Sequence, residues 1–164
     1  MIAATVTFYN VVVWAHISAV VLAFGPTFAY GIFLAIAGRD DPRSLPTIFR
    51  VLQRIDRSMV TIGAIVILIT GLYLAGDSWD FGDFFVAWGL IAIIVLIGMV
   101  HGFFLPNERR AEQLARRDIE ASGGGRVEFS REFNEVSGKM ARLGPVAGLI
   151  VILTIYVMAA KPFL

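Results

Sequence analysis

The sequence predicts an all-α fold, an integral membrane four-helix up-down bundle with helical extensions on the cytoplasmic side. The first observation is composition. Hydrophobic residues make up 57% of 164 residues and charged ones 16%, against roughly half apolar and about a quarter charged in soluble domains. A chain of this size cannot bury so much apolar surface within itself, and a mean hydropathy of +0.76 says the same. The second observation is pattern. Stretches 8–37, 59–75, 84–105 and 143–160 contain no Asp, Glu, Lys or Arg, and a crossing needs about 20 apolar residues. The third is charge placement, since the basic residues collect between the first and second and between the third and fourth of these stretches.

The first stretch, 8–37, is too long for an untilted crossing, so part of it must tilt or protrude. No Lys or Arg precedes Arg39, so it lacks the basic start of a cleaved signal peptide and is expected to stay as a helix. Gly25 and Pro26 mark a place where it bends. The following loop, 38–58, carries Arg39, Arg43, Arg50, Arg54 and Arg57. Ser44 reads as an N-cap with Pro46 in the first turn. Ile48, Leu52, Ile55 and Met59 then recur at helical spacing, which starts the second helix well before the membrane.

Between the second and third spans lie Asp77, Asp80 and Asp83 with Gly76 and Gly82 and no base. Their spacing lacks the tight loop of a calcium hand, and a solvated turn is the expectation. Loop 106–142 repeats the pattern of the first loop with Arg109, Arg110, Arg116, Arg117, Arg126, Arg131, Lys139 and Arg142. Asn107 to Ala121 is rich in Glu, Arg and Ala, and Gly123, Gly124 and Gly125 interrupt it. Phe129, Phe133, Val136, Met140 and Leu143 step by four and three into the last span from a start near Ser130. The Arg and Glu residues of both loops read first as a solvated, ion-paired surface, with a partner or anionic lipid as the alternative.

Short cytoplasmic loops carry the excess of Lys and Arg. The expected localisation is therefore a multi-pass protein of the inner membrane with both termini outside, its one transmembrane domain covering 1–164. Trp14, Trp79 and Trp88 gather toward the outer face as an interfacial belt. Gly98 with Gly102, and Gly144 with Gly148, are small pairs four apart that let helix backbones approach. Packing within the chain is the first expectation for them, and self-association or contact with other membrane subunits the second. Net charge is +1, which gives no basis for nucleic-acid binding.

Chemistry within the spans falls to the two histidines, His16 and His101, because an ionisable group inside a membrane is a functional candidate. Each can hydrogen-bond a neighbouring helix, ligate haem iron or hold a quinone. Their helices run in the same direction and are diagonal partners in an up-down bundle. His16 lies about six residues outward of the middle of its stretch and His101 about six inward, a depth difference of roughly 18 Å. One shared iron is therefore not expected, and a structural hydrogen bond is the first reading of each. Without cysteine there is no disulfide, thiolate metal site or iron–sulfur cluster. No metal site and no catalytic triad or phosphate loop is found, so an enzyme is not the leading expectation.

Trp14-Ala15-His16 with Gly25, Asp56 leading to Thr70-Gly71-Leu72, and Leu105-Pro106 with Arg109, Arg110 and Leu114-Ala115 resemble a bacterial family of four-helix integral membrane proteins catalogued as a domain of unknown function. The segment from His16 to Gly25 and the Thr70-Gly71-Leu72 end are similar, more remotely, to haem-associated membrane protoporphyrinogen oxidases and copper-resistance membrane proteins. The oxidase resemblance implies a haem b ligand at His16 and a lysine near the start of the third helix. That region here reads Phe85-Val86-Ala87-Trp88-Gly89, without lysine. Two functions are thus expected: a non-catalytic membrane module or accessory subunit of a larger complex, or a haem- or quinone-linked redox protein using His16.

Overall fold

The computed structural model describes residues 7–162. Residues 1–6 and 163–164, which the single-domain reading includes, lie outside the described residues. Four long helical rods follow one another: α1 (Phe8–Asp40), α2 (Pro42–Ser78), α3 (Phe84–Ala121) and α4 (Arg131–Ala160). Lengths of 33, 37, 38 and 30 residues correspond to roughly 45 to 57 Å at the rise of an α-helix, against a hydrocarbon core of about 30 Å. The rods therefore outgrow the bilayer.

Local sequence explains where each rod starts, bends and stops. The Thr7 hydroxyl accepts from the Asn10 N–H at 3.3 Å and caps α1. Pro26 has no N–H to donate and occupies the first turn of a 3₁₀ segment, Pro26–Ala29, which breaks α1 beside Gly25. The α1–α2 corner is a second 3₁₀ turn, Pro42–Ser44. Ser44 precedes the regular helix, as expected, but does not cap it: its hydroxyl donates to the Asp41 carbonyl at 2.7 Å and closes the corner instead. Ser130 does cap α4, accepting from the Phe133 N–H at 3.3 Å. Gly123 and Gly124 adopt positive φ of 54° and 92° where α3 ends, a conformation that a side chain resists. Through Gly144 and Pro145 the α4 helix continues without a break.

The middle of the bundle is a core of small and branched residues, among them Ala19, Ala23, Val60, Ala64, Ile93 and Val151. Outward-facing positions are as apolar as inward ones: Val21, Ile69 and Ile94 are each more than 60% exposed. A water-soluble bundle reverses that pattern, so this girdle faces lipid. A tight helix approach sets α1 on α2, where a Cβ added to Gly63 would stand 2.6 Å from the Ala23 Cβ. The expected glycine pairs behave otherwise. Gly98, Gly102 and Gly144 have no neighbour at the position of an added Cβ, and Gly148 alone of the four meets a side chain, Phe28 at 3.3 Å. Gly98 and Gly102 thus bring no two helices of this chain together, a correction to the expectation of packing within the chain.

At the end that carries the loops rich in arginine, hereafter the charged end, the rods build a separate core of Leu45, Phe49, Ala111, Ala115, Phe133 and Met140 with their neighbours. The Phe49 and Phe133 rings meet edge to face at 6.2 Å between centroids. Phe133, Val136 and Met140 are buried as the helical spacing predicts. The stripe on α2 is rotated by about one position: Leu45, Phe49, Leu52, Asp56 and Val60 are buried, whereas Met59 is exposed. Polar contacts surround this core. Arg50, Gln53 and Arg116 converge on Glu112 at 3.4, 2.9 and 2.9 Å, and Arg43 donates to the Gly125 carbonyl at 2.8 Å.

At the opposite end, Phe8 meets Tyr73 edge to face at 5.5 Å and Lys161 lies 3.7 Å from the Trp79 ring centroid. The start of α1, the α2–α3 turn and the end of α4 therefore share one end of the molecule. Trp88 donates its indole N–H to Thr154 at 3.1 Å. Lys161, a base remote from the charged end, is held over an aromatic face.

Candidate functional site

Two polar centres lie among apolar neighbours, and α2 contributes to both. In the first, His16 of α1 faces Thr70 of α2, with 2.8 Å between Nδ1 and the hydroxyl oxygen. The Thr70 hydroxyl donates its own proton to the Val66 carbonyl at 2.6 Å. With that proton given to the carbonyl, the hydroxyl is placed to accept from an Nδ1–H, the tautomer that leaves the lone pair on Nε2. Gly71 makes the approach tight: an added Cβ would lie 3.2 Å from His16 Cε1. Thr70-Gly71 and His16 thus form one structural unit, a hydroxyl acceptor for the ring and a gap beside it.

His101 is in an equivalent relation to Thr61, with Nε2 3.2 Å from the hydroxyl oxygen, and Thr61 donates to the Asp56 carbonyl at 2.7 Å. Thr61 and Thr70 are nine residues apart on α2, which sets the two imidazoles at levels about 13 Å apart along the rod. Beside His101, Phe24, Val60, Ala64 and Leu96 line a narrow cavity of about 10 Å³, the space of a single water molecule. Among the described residues no group of three or more His, Cys, Asp or Glu side chains is placed to hold a metal ion. In the turn between α2 and α3, Asp80 accepts from the Gly82 N–H at 2.7 Å and Asp83 from the Asp80 N–H at 3.0 Å. Those acids close the turn.

The second centre is where the lipid-facing bundle meets the core of the charged end. Two short π-helical segments flank it, Asp56–Val60 in α2 and Val100–Phe104 in α3. Each inserts a wider turn into a long rod, a distortion that recurs at functional sites. Asp56 is 2% exposed and accepts the Tyr30 hydroxyl at 2.7 Å. Glu108 is 3% exposed, and its Oε2 makes no hydrogen bond. Both acids lie just outside the uncharged stretches 59–75 and 84–105. Burial pushes the Asp56 carboxyl above its ordinary pKa, opposed by the Tyr30 hydrogen bond and the imidazole of His101. Burial pushes Glu108 far above the carboxylate range, the Asp56 charge adds to the rise, and Arg57 counteracts it.

Neither acid of the second centre is picked out by the sequence reading, which treats Asp56 as part of a family pattern and Glu108 as one acid of a solvated helix. The signal was in the spacing. Asp56 stands seven residues after Phe49 and four before Val60, and Glu108 lies midway between Leu105 and Ala111, all of them buried. A carboxylate in register with a buried stripe is in the core.

Four apolar rods, a lipid-facing girdle and polar centres without an open cleft describe a membrane bundle, and comparison with known families agrees. The sequence pattern of one family, described as predicted integral membrane protein (DUF2269), matches residues 10–162. The chain belongs to the DUF2269 family. That match takes in α2, α3 and α4, all but the first two residues of α1, and both polar centres of this DUF2269 protein. No curated protein and no solved structure matches the chain.

Proposed function

We propose that this protein is a non-catalytic membrane module, an accessory subunit that presents a folded helical platform at one membrane face to other proteins of that membrane. The observation that carries this reading is the separate core at the charged end, where α1 to α4 continue past the bilayer and pack around Phe49, Ala115 and Phe133. Loops that merely joined spans would not need a core of their own. Arg39, Arg54, Arg109, Arg110 and Arg142 are exposed around it, so the platform offers cationic groups to acidic surfaces. By the excess of Arg and Lys in its loops, that face is the cytoplasmic one, and the termini are outside in an inner-membrane arrangement.

Purification in mild detergent under native conditions tests the module. A stoichiometric partner, or a defined homo-oligomer, is expected to co-purify, and a clean monomer across several detergents would overturn the proposal. A reporter fused after Leu164 checks orientation, since activity confined to the cytoplasm reverses it.

One observation favours a second reading, a haem- or quinone-linked role for His16. Its Nδ1–H is committed to Thr70, which orients the ring and leaves Nε2 as the nitrogen able to bind iron or accept a quinol proton. Protein from haem-replete cells should then show a Soret band that weakens in His16→Ala. A colourless preparation sinks the haem version.

A further inference from the structure

Tyr30, Asp56 and Glu108 come from three different rods, α1, α2 and α3, and meet where the membrane bundle joins the charged-end core. Both carboxyls are almost fully buried. Asp56 has one strong donor, the Tyr30 hydroxyl at 2.7 Å. Glu108 has none at Oε2, and neither acid joins an ion pair among the described residues. The titratable and charged groups that act on the pair are Tyr30 from α1, Arg57 from α2 and His101 from α3. Arg57 and His101 are both exposed, so water or headgroups compete for them.

Two adjacent carboxylates in a poorly polarisable interior cannot both remain charged, because each ion loses its hydration and then repels the other. An ionised Glu108 would in addition leave a bare oxygen with nothing to donate to it. We propose that Asp56 and Glu108 form a buried proton-binding site in which the pair holds one exchangeable proton at neutral pH, carried by the Glu108 carboxyl, while Asp56 stays ionised against Tyr30. Release passes that proton to water at the charged end and leaves both buried carboxylates charged. The π-helical segments that flank the pair are the places where α2 and α3 can adjust to the added charge. This site is independent of the docking role, because it requires no partner.

Infrared spectroscopy of the full chain in lipid nanodiscs, titrated with pH, reads the proton directly. At neutral pH a C=O stretch of a protonated carboxylic acid is expected. It should shift in heavy water, vanish at alkaline pH and be absent from Glu108→Gln. In Asp56→Asn, where the neighbouring charge is gone, the band should persist at neutral pH but titrate away at a midpoint lower by about one pH unit, because the repulsion that the Asp56 charge exerts on an ionised Glu108 is lost. Absence of the band from folded protein at neutral pH would overturn the site, as would a band unchanged by Glu108→Gln. An unmoved midpoint in Asp56→Asn would overturn the pairing even if Glu108→Gln fails to fold. Loss of the band on adding sodium or magnesium chloride at constant pH would overturn it in favour of a metal cation.

Discussion

Gly63 and Gly98 carry the same side-chain hydrogen into opposite surroundings. At Gly63 an added methyl group meets Ala23 at 2.6 Å, whereas at Gly98 it meets nothing. Gly63→Ala is expected to destabilise the bundle by about 1–3 kcal/mol through overpacking, and Gly98→Ala to leave it unchanged or slightly more stable through helix propensity. Thermal unfolding in detergent separates them. Sequence alone singled out Gly98 because it is four residues from Gly102, but spacing within one helix does not say which face meets a neighbour. Glu108 gives a second expectation, in pH. Its folded pKa lies above its unfolded one, so the folded chain binds more protons in between and stability falls as pH rises from the ordinary glutamate range toward the folded value. Glu108→Gln, which cannot ionise, should flatten that slope in unfolding measured across pH.

The corner between α3 and α4 shows how an element boundary is fixed from a distance. Asp118, 8% exposed, accepts the Ser130 N–H at 2.8 Å, while the Ser130 hydroxyl caps the helix that follows. Burial raises the Asp118 carboxyl, but the Ser130 N–H and hydroxyl and the Arg117 guanidinium together hold it below its ordinary pKa. Its contribution is therefore present above the unfolded pKa and lost as pH falls through the folded one. Asp118→Ala strands the Ser130 N–H and should cost about 1–3 kcal/mol, with amide exchange accelerating first at the start of α4. The start of α4 near Ser130 was legible because an apolar stripe at helical spacing begins there. Asp118 was not, since its partner is twelve residues on. The rotated stripe of α2 was hidden for a related reason: periodicity assigns the apolar residues to the core, and Asp56 is a charged one in their register.

Across the whole molecule, the four long apolar helices were readable, because composition and helical period respond to lipid directly. Helix pairing was less so. Nothing in a single span announces that α1 closes on α2 through Ala23 and Gly63, or that His16 finds Thr70. The finished bundle also lives in two solvents, and its interior answers to each differently. Within hydrocarbon, helices exchange lipid contacts for one another and gain little from excluding water. The core around Phe49 and Phe133 does remove apolar surface from water. The heat-capacity change of assembly, which follows hydration of apolar surface, is thus concentrated at that wet end, and urea acts there too. Denaturation is therefore expected to begin by unzipping that core, with rods still upright in lipid as its first product.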